Sequence, residues 1–104
     1  MKVVRVRHSP EQLITYSFVV PTRLEDKVYY GAEVICDTRR GSARGVIVDI
    51  LNGSRDSLSA ILLHNQGLIL SDMRYITNVM GNKRVRRKLN IADDKSIAEL
   101  YSDR

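Results

Sequence analysis

Arg39, Arg40 and Arg44 fall within six residues, in "DTRRGSARG", around Gly41 and Ser42. Guanidinium groups on a flexible tip can follow a phosphate backbone, donating forked hydrogen bonds to its oxygens. Charge at such a tip also keeps an exposed hairpin soluble and unpaired, so the loop by itself fits both readings. A second cluster, "KRVRRK", puts Lys83, Arg84, Arg86, Arg87 and Lys88 into six positions. Drawn as a helix, it leaves only Val85 and Leu89, four apart, to face a core. Like charges so close together repel, and an anionic partner relieves the repulsion. The alternative is a solvated surface helix offset by Asp93, Asp94 and Glu99.

Aromatic rings are the other groups that suit a nucleic acid, because a base of any identity can stack on one. Tyr16 and Phe18 share strand parity, and their common face is assigned to the core. Tyr29 and Tyr30 are adjacent in the loop before Gly31, so at most one is buried and the other can stack a base. Catalytic chemistry finds little to work with. His8 and His64 lie in different segments, without the spacing of a metal site. The Asp93–Asp94 pair reads as a helix cap rather than an acid and base. No enzyme activity, metal or cofactor is expected.

The elements that must position these groups follow from periodicity and turn residues. Lys2 to Arg7 alternates valine with arginine, a half-buried strand with a basic outer face. "LITYSFVVP" is a β-branched and aromatic run closed by Pro21. Gly31 is expected to supply a backbone angle that other residues resist. Glu33–Thr38 and Gly45–Ile50 read as the third and fourth strands, with Val34 and Cys36 inward on one and Val46, Val48 and Ile50 sharing a face of the other. "LSAILLHNQG" reads as a short fifth strand. Ser71 with Asp72 then resembles a helix cap ahead of Met73, Ile76, Val79 and Met80, and Asp93 or Asp94 caps a last short helix carrying Ile97, Leu100 and Tyr101. The chain is therefore expected to be mainly β: a small antiparallel β-barrel of about five strands over residues 1–67, followed by a helical portion over 68–104. Its core is expected to close on Val4, Val6, Phe18, Val34, Cys36, Val46 and Val48.

A length of 104 residues suits a single domain. The net charge of +5 favours an acidic partner. Cys36 is the only cysteine, which excludes an intramolecular disulfide and multi-cysteine zinc sites. It reads as a core residue in a reducing compartment. The charged N-terminus lacks the apolar region of a signal peptide and no run is long enough for a membrane span, so a cytoplasmic protein without membrane contact is expected.

The stretch "ITYSFVVPTRLEDKVYYGAEVICDTRRGSARGVIVDI" resembles the N-terminal domain of the PriA primosomal helicases. The likeness runs from the aromatic strand Tyr16 to Pro21, through the turn glycine Gly31 before "AEV", to the basic tip and return strand Arg39 to Val48. It extends over residues 1 to about 80 and implies a small β-barrel that binds the 3′ end of a DNA strand at a stalled replication fork. The family's end pocket uses an aromatic–Asp pair, the turn glycine and a lysine. Those positions fall here at Ile14 and Thr15, Gly31, and Ser59, so only the glycine is kept. The helicase phosphate loop has no counterpart in the sequence. "GAEVICDTRRGSARGVIV" also resembles, more weakly, the C-terminal conserved domain of PSP-type regulatory proteins.

Residues and resemblance together point to a non-catalytic nucleic-acid-binding module, for DNA rather than RNA, acting through the Arg39–Arg44 hairpin and the Lys83–Lys88 run. The alternative is an adaptor or inhibitor, of a kind found on mobile elements, that docks on an acidic protein. A monomer is expected ahead of a homodimer.

Overall fold

Alternation settles the first strand. In β1 (Lys2–Arg7), Val4 and Val6 point into the curve of the sheet, while Arg5 and Arg7 point outward. The computed structural model of the chain describes residues 1–80. Within them β1 pairs antiparallel with β2 (Tyr16–Val20) on one side and with β4 (Gly41–Asn52) on the other. The long β4 continues past β1 to pair with β3 (Glu33–Thr38), which pairs in turn with β5 (Ile76–Val79). All these pairings are antiparallel, in the order β2-β1-β4-β3-β5. The sheet curls into a half-barrel until its two edge strands meet. There the Val19 N–H donates to the Arg74 carbonyl at 2.9 Å, and Val19 bridges Tyr75. That contact covers part of two strand edges that would otherwise invite pairing with other chains.

Two apolar clusters hold the fold. The first fills the curl with Val4, Val6, Phe18, Val34, Cys36, Ile47 and Ile76, sealed by Leu24 and Val28 from the segment between β2 and β3. The second lies on the opposite side of the sheet, where Val3 and Val19 meet Leu58 and Leu62 of a helix, α1 (Arg55–Gln66), together with Leu70. Gly31 has a φ of 88°, the left-handed conformation expected of it.

Three expectations fail, each for a physical reason. Residues 58–66 are helical rather than extended. The Ser54 hydroxyl accepts from the Ser57 N–H, and Gly67 ends the helix in a left-handed conformation, its N–H directed at the Leu62 and Leu63 carbonyls. Leu58 and Leu62, four apart, then fall on one buried face.

The helix expected from Ser71 is instead a short 3-10 turn, Leu70–Asp72, without a side-chain cap, leading into β5. β3 has a free edge, and the β-branched Ile76, Thr77 and Val79 satisfy it.

Val46 and Val48 face outward, and Ile47 takes the core position between them. "VIVDIL" has no clean alternation to choose a face. The choice is made by a shift in the β1–β4 register, where Arg5 pairs with Asp49 but Val6 pairs with Ile47. Val48 is the extra residue, and the shift returns Ile50 to the first cluster.

Candidate functional site

At one end of the curl, β1 and β3 finish while β2, β4 and β5 begin. Val6 pairs with Tyr16, Arg7 with Val46 and Thr38 with Gly41, and the Asp37 N–H donates to the Tyr75 carbonyl. These ends surround an open groove of about 1120 Å³. Its floor is aromatic: Phe18, His8 and Tyr16. One rim is the β3–β4 hairpin, from Thr38 through Arg39 and Arg40 to Ala43. The opposite wall is the chain leaving α1, Gly67 to Ile69, with Asp72 to Arg74. The Ser17 hydroxyl fixes that wall to the sheet by donating to Gln66 Oε1 at 2.8 Å.

The floor continues the strand parity one layer past the core. His8, just past the end of β1, continues the parity of Val4 and Val6, and Tyr16 precedes Phe18 on β2. The His8 ring lies 5.6 Å from that of Tyr16, tilted, and 5.9 Å from that of Phe18, edge-on. Its Nδ1 lies 2.7 Å from the Arg44 carbonyl oxygen. Gly45 makes this approach possible. A Cβ there would stand 2.2 Å from Val6 Cγ1 and 3.0 Å from His8 Nδ1. Phe18 is buried, as its parity requires, but Tyr16 is 48 % exposed because the curl has opened where it stands. The assignment of Tyr16 to the core is therefore corrected.

The hairpin tip is tighter than the sequence suggests. Arg39 and Arg40 alone make the turn, and Gly41 takes a φ of 108° that L side chains rarely adopt. The Thr38 hydroxyl accepts from the Arg40 N–H and donates to the Gly41 carbonyl, which braces the turn. Both arginines are exposed, and among the described residues neither side chain has an ion pair or hydrogen bond. Arg44 does not join them. It sits within β4 on the outer face, opposite Ile35, with its guanidinium 3.5 Å from Glu33. Arg74 lines the groove but is paired with Asp37 at 3.2 Å. Exposed pairs of this kind are worth at most about 1 kcal/mol and exchange readily for another anion.

The remaining expected residues lie elsewhere. Tyr29 packs against the first cluster and Tyr30 is exposed on the outer side, its hydroxyl 3.5 Å from Asp49. Neither lines the groove. Of the positions implied by the family resemblance, Thr15 lines it, while Gly31, Ser59 and the exposed Ile14 do not. Lys83, Arg84, Arg86, Arg87 and Lys88, and the last helix expected from Asp93 or Asp94, lie outside the described residues. Among the described residues no cluster of histidine, cysteine and carboxylates could hold a metal ion, and no helix is long and apolar enough to cross a membrane. Burial pushes the Cys36 thiol up to about 12, and the Ser9 hydroxyl holds the exposed Glu11 carboxyl below its usual range.

No protein-family model matches the chain, and neither does any curated protein or solved structure.

Proposed function

We propose that the chain is a non-catalytic module that binds single-stranded nucleic acid, DNA ahead of RNA, across the groove at the open end of its curled sheet. The observation that carries this reading is the placement of the unpaired Arg39 and Arg40 on the rim of a groove whose floor presents the half-exposed Tyr16 beside His8. Cations that track phosphates beside rings that stack bases are what sequence-tolerant binding of a single strand needs. A duplex keeps its bases stacked internally and would use only the arginines. The Lys83–Lys88 run adds a second stretch of positive charge. The resemblance to the PriA domain points to the same class of ligand.

The test is fluorescence anisotropy of labelled single strands across a salt series. Each phosphate neutralised releases counterions, so affinity should fall steeply with salt. Replacing Arg39 and Arg40 together with alanine should weaken binding alike for all sequences and flatten the logarithmic salt slope by about one unit for each phosphate left without its arginine; Arg86 and Arg87 should behave the same way. Absence of binding to single strands, duplexes or RNA at low salt would end this reading.

A second reading, docking on an acidic protein, draws on Leu13 and Ile14, which stand 91 % and 64 % exposed between the groove residues Gln12 and Thr15. An acidic peptide with apolar side chains would use both the arginines and this loop. Replacing Leu13 and Ile14 with serine should leave nucleic-acid affinity unchanged. Such a peptide, in contrast, should bind the same variant much more weakly.

A further inference from the structure

The fold fixes the hydrogen-bonding state of one side chain on the groove floor. His8 Nδ1 is 2.7 Å from the Arg44 carbonyl oxygen, and a carbonyl can only accept. Nδ1 therefore carries the proton, and in the neutral ring Nε2 is left as the acceptor. No described residue hydrogen-bonds Nε2, although the ring lines the groove. Tyr16 and Phe18 stand against the ring, and its bond to β4 sets its rotation. The groove thus presents a held acceptor beside a half-exposed stacking surface.

Building on the nucleic-acid reading above, we propose that His8 is a specificity-determining residue, accepting a hydrogen bond at Nε2 from the exocyclic amino group of a base stacked on Tyr16. Adenine and cytosine present such a donor at their 6- and 4-positions, where guanine has a carbonyl oxygen and keeps its amino group on the other edge. Thymine presents a carbonyl oxygen at the corresponding position, where two acceptors would face each other. The ring position fits a contact to the edge of a base rather than to its face, because Tyr16 supplies the face. His8 also sits on the floor, away from the arginine rim that suits phosphates, so base identity and backbone charge are read by different residues.

The experiment compares a labelled oligodeoxyadenylate with the matched oligomer of purine deoxynucleoside, which keeps the ring and lacks the amino group. Using only DNA removes the ribose 2′-hydroxyl as a competing donor. The expected result is adenine binding about fivefold tighter, the worth of one net hydrogen bond. That ratio should fall to about one in two variants. His8→Phe keeps a ring face, and His8→Asn keeps a donor near the position of Nδ1. Equal binding of the two oligomers by the unsubstituted protein, or a ratio that survives both substitutions, overturns the proposal and leaves the nucleic-acid reading in place. Failure of both oligomers to bind overturns the proposal, and it ends the nucleic-acid reading as well if duplexes and RNA also fail to bind at low salt.

Discussion

A hydrogen atom in place of a methyl group at position 45 lets the end of β1 lie close enough to β4 for His8 to reach the Arg44 carbonyl. A Cβ would stand 2.2 Å from Val6 Cγ1, a fully buried side chain with no room to retreat, and 3.1 Å from the Arg7 carbonyl. Gly45→Ala should therefore lower stability by about 1–3 kcal/mol, the usual cost of overpacking, and loosen the groove floor as β1 shifts away. Gly53→Ala is the control, since a Cβ there meets only ordinary contacts at 3.8 Å. Equal denaturation midpoints for the two variants would show that the strand ends adjust freely. Residues at this scale were unevenly legible. Arg39 and Arg40 declared themselves by charge density at a turn. His8 and Tyr16 did not, because parity says which face a side chain takes and cannot say where along a strand the core gives way to solvent. Arg44 shows the converse. It is close to the tip in sequence, but strand alternation carries it to the outer face.

The elements explain why the first four strands were readable and the remainder was not. β1, β2, β3 and the Gly45–Ile50 stretch of β4 are marked by alternation, β-branched residues and glycine turns, signals that are local. "LSAILLHNQ" is a short apolar run that fits a buried strand or a helix equally well by periodicity. Its ends hold the deciding information: Ser54 as a cap three residues before Ser57, and Gly67 just past the last turn. At Ser71 the local signal favoured a helix, and pairing with β3 overrode it. Capping and packing together should account for α1, which covers Val3 and Val19 together with the segment around Leu70. Ser54→Ala should cost about 1 kcal/mol through removal of the cap. Leu62→Ala, at a fully buried site of the second cluster, should cost about 2–5 kcal/mol. Urea unfolding followed by circular dichroism measures both. A Leu62→Ala cost below that of Ser54→Ala would mean that α1 is held by its own backbone rather than by the sheet.

For the whole molecule, the division of labour between the two sides of the sheet matters most. The outer side buries Val3 and Val19 under α1, and the inner side closes the curl around Val4, Val34, Cys36 and Ile47 up to the layer where the groove opens. Cys36 reports on that inner closure, because its thiol is held among apolar neighbours without solvent contact. Desolvation disfavours the thiolate and raises the folded-state pKa from 9.0 to about 12. The sign of the consequence follows from linkage. Between those two values the unfolded chain releases the thiol proton while the folded chain keeps it, so the folded state binds more protons and loses stability as pH rises. The contribution is complete below about pH 9 and disappears progressively toward pH 12. Tyrosines and lysines titrate in the same window, so the useful measurement is a difference. Unfolding free energies of the native protein and of Cys36→Ala should diverge in slope above pH 9, the native protein falling more steeply by up to about 1.4 kcal/mol per pH unit. Parallel slopes would mean that the thiolate is solvated in the folded state, and so that water reaches below the aromatic floor of the groove into the curl itself.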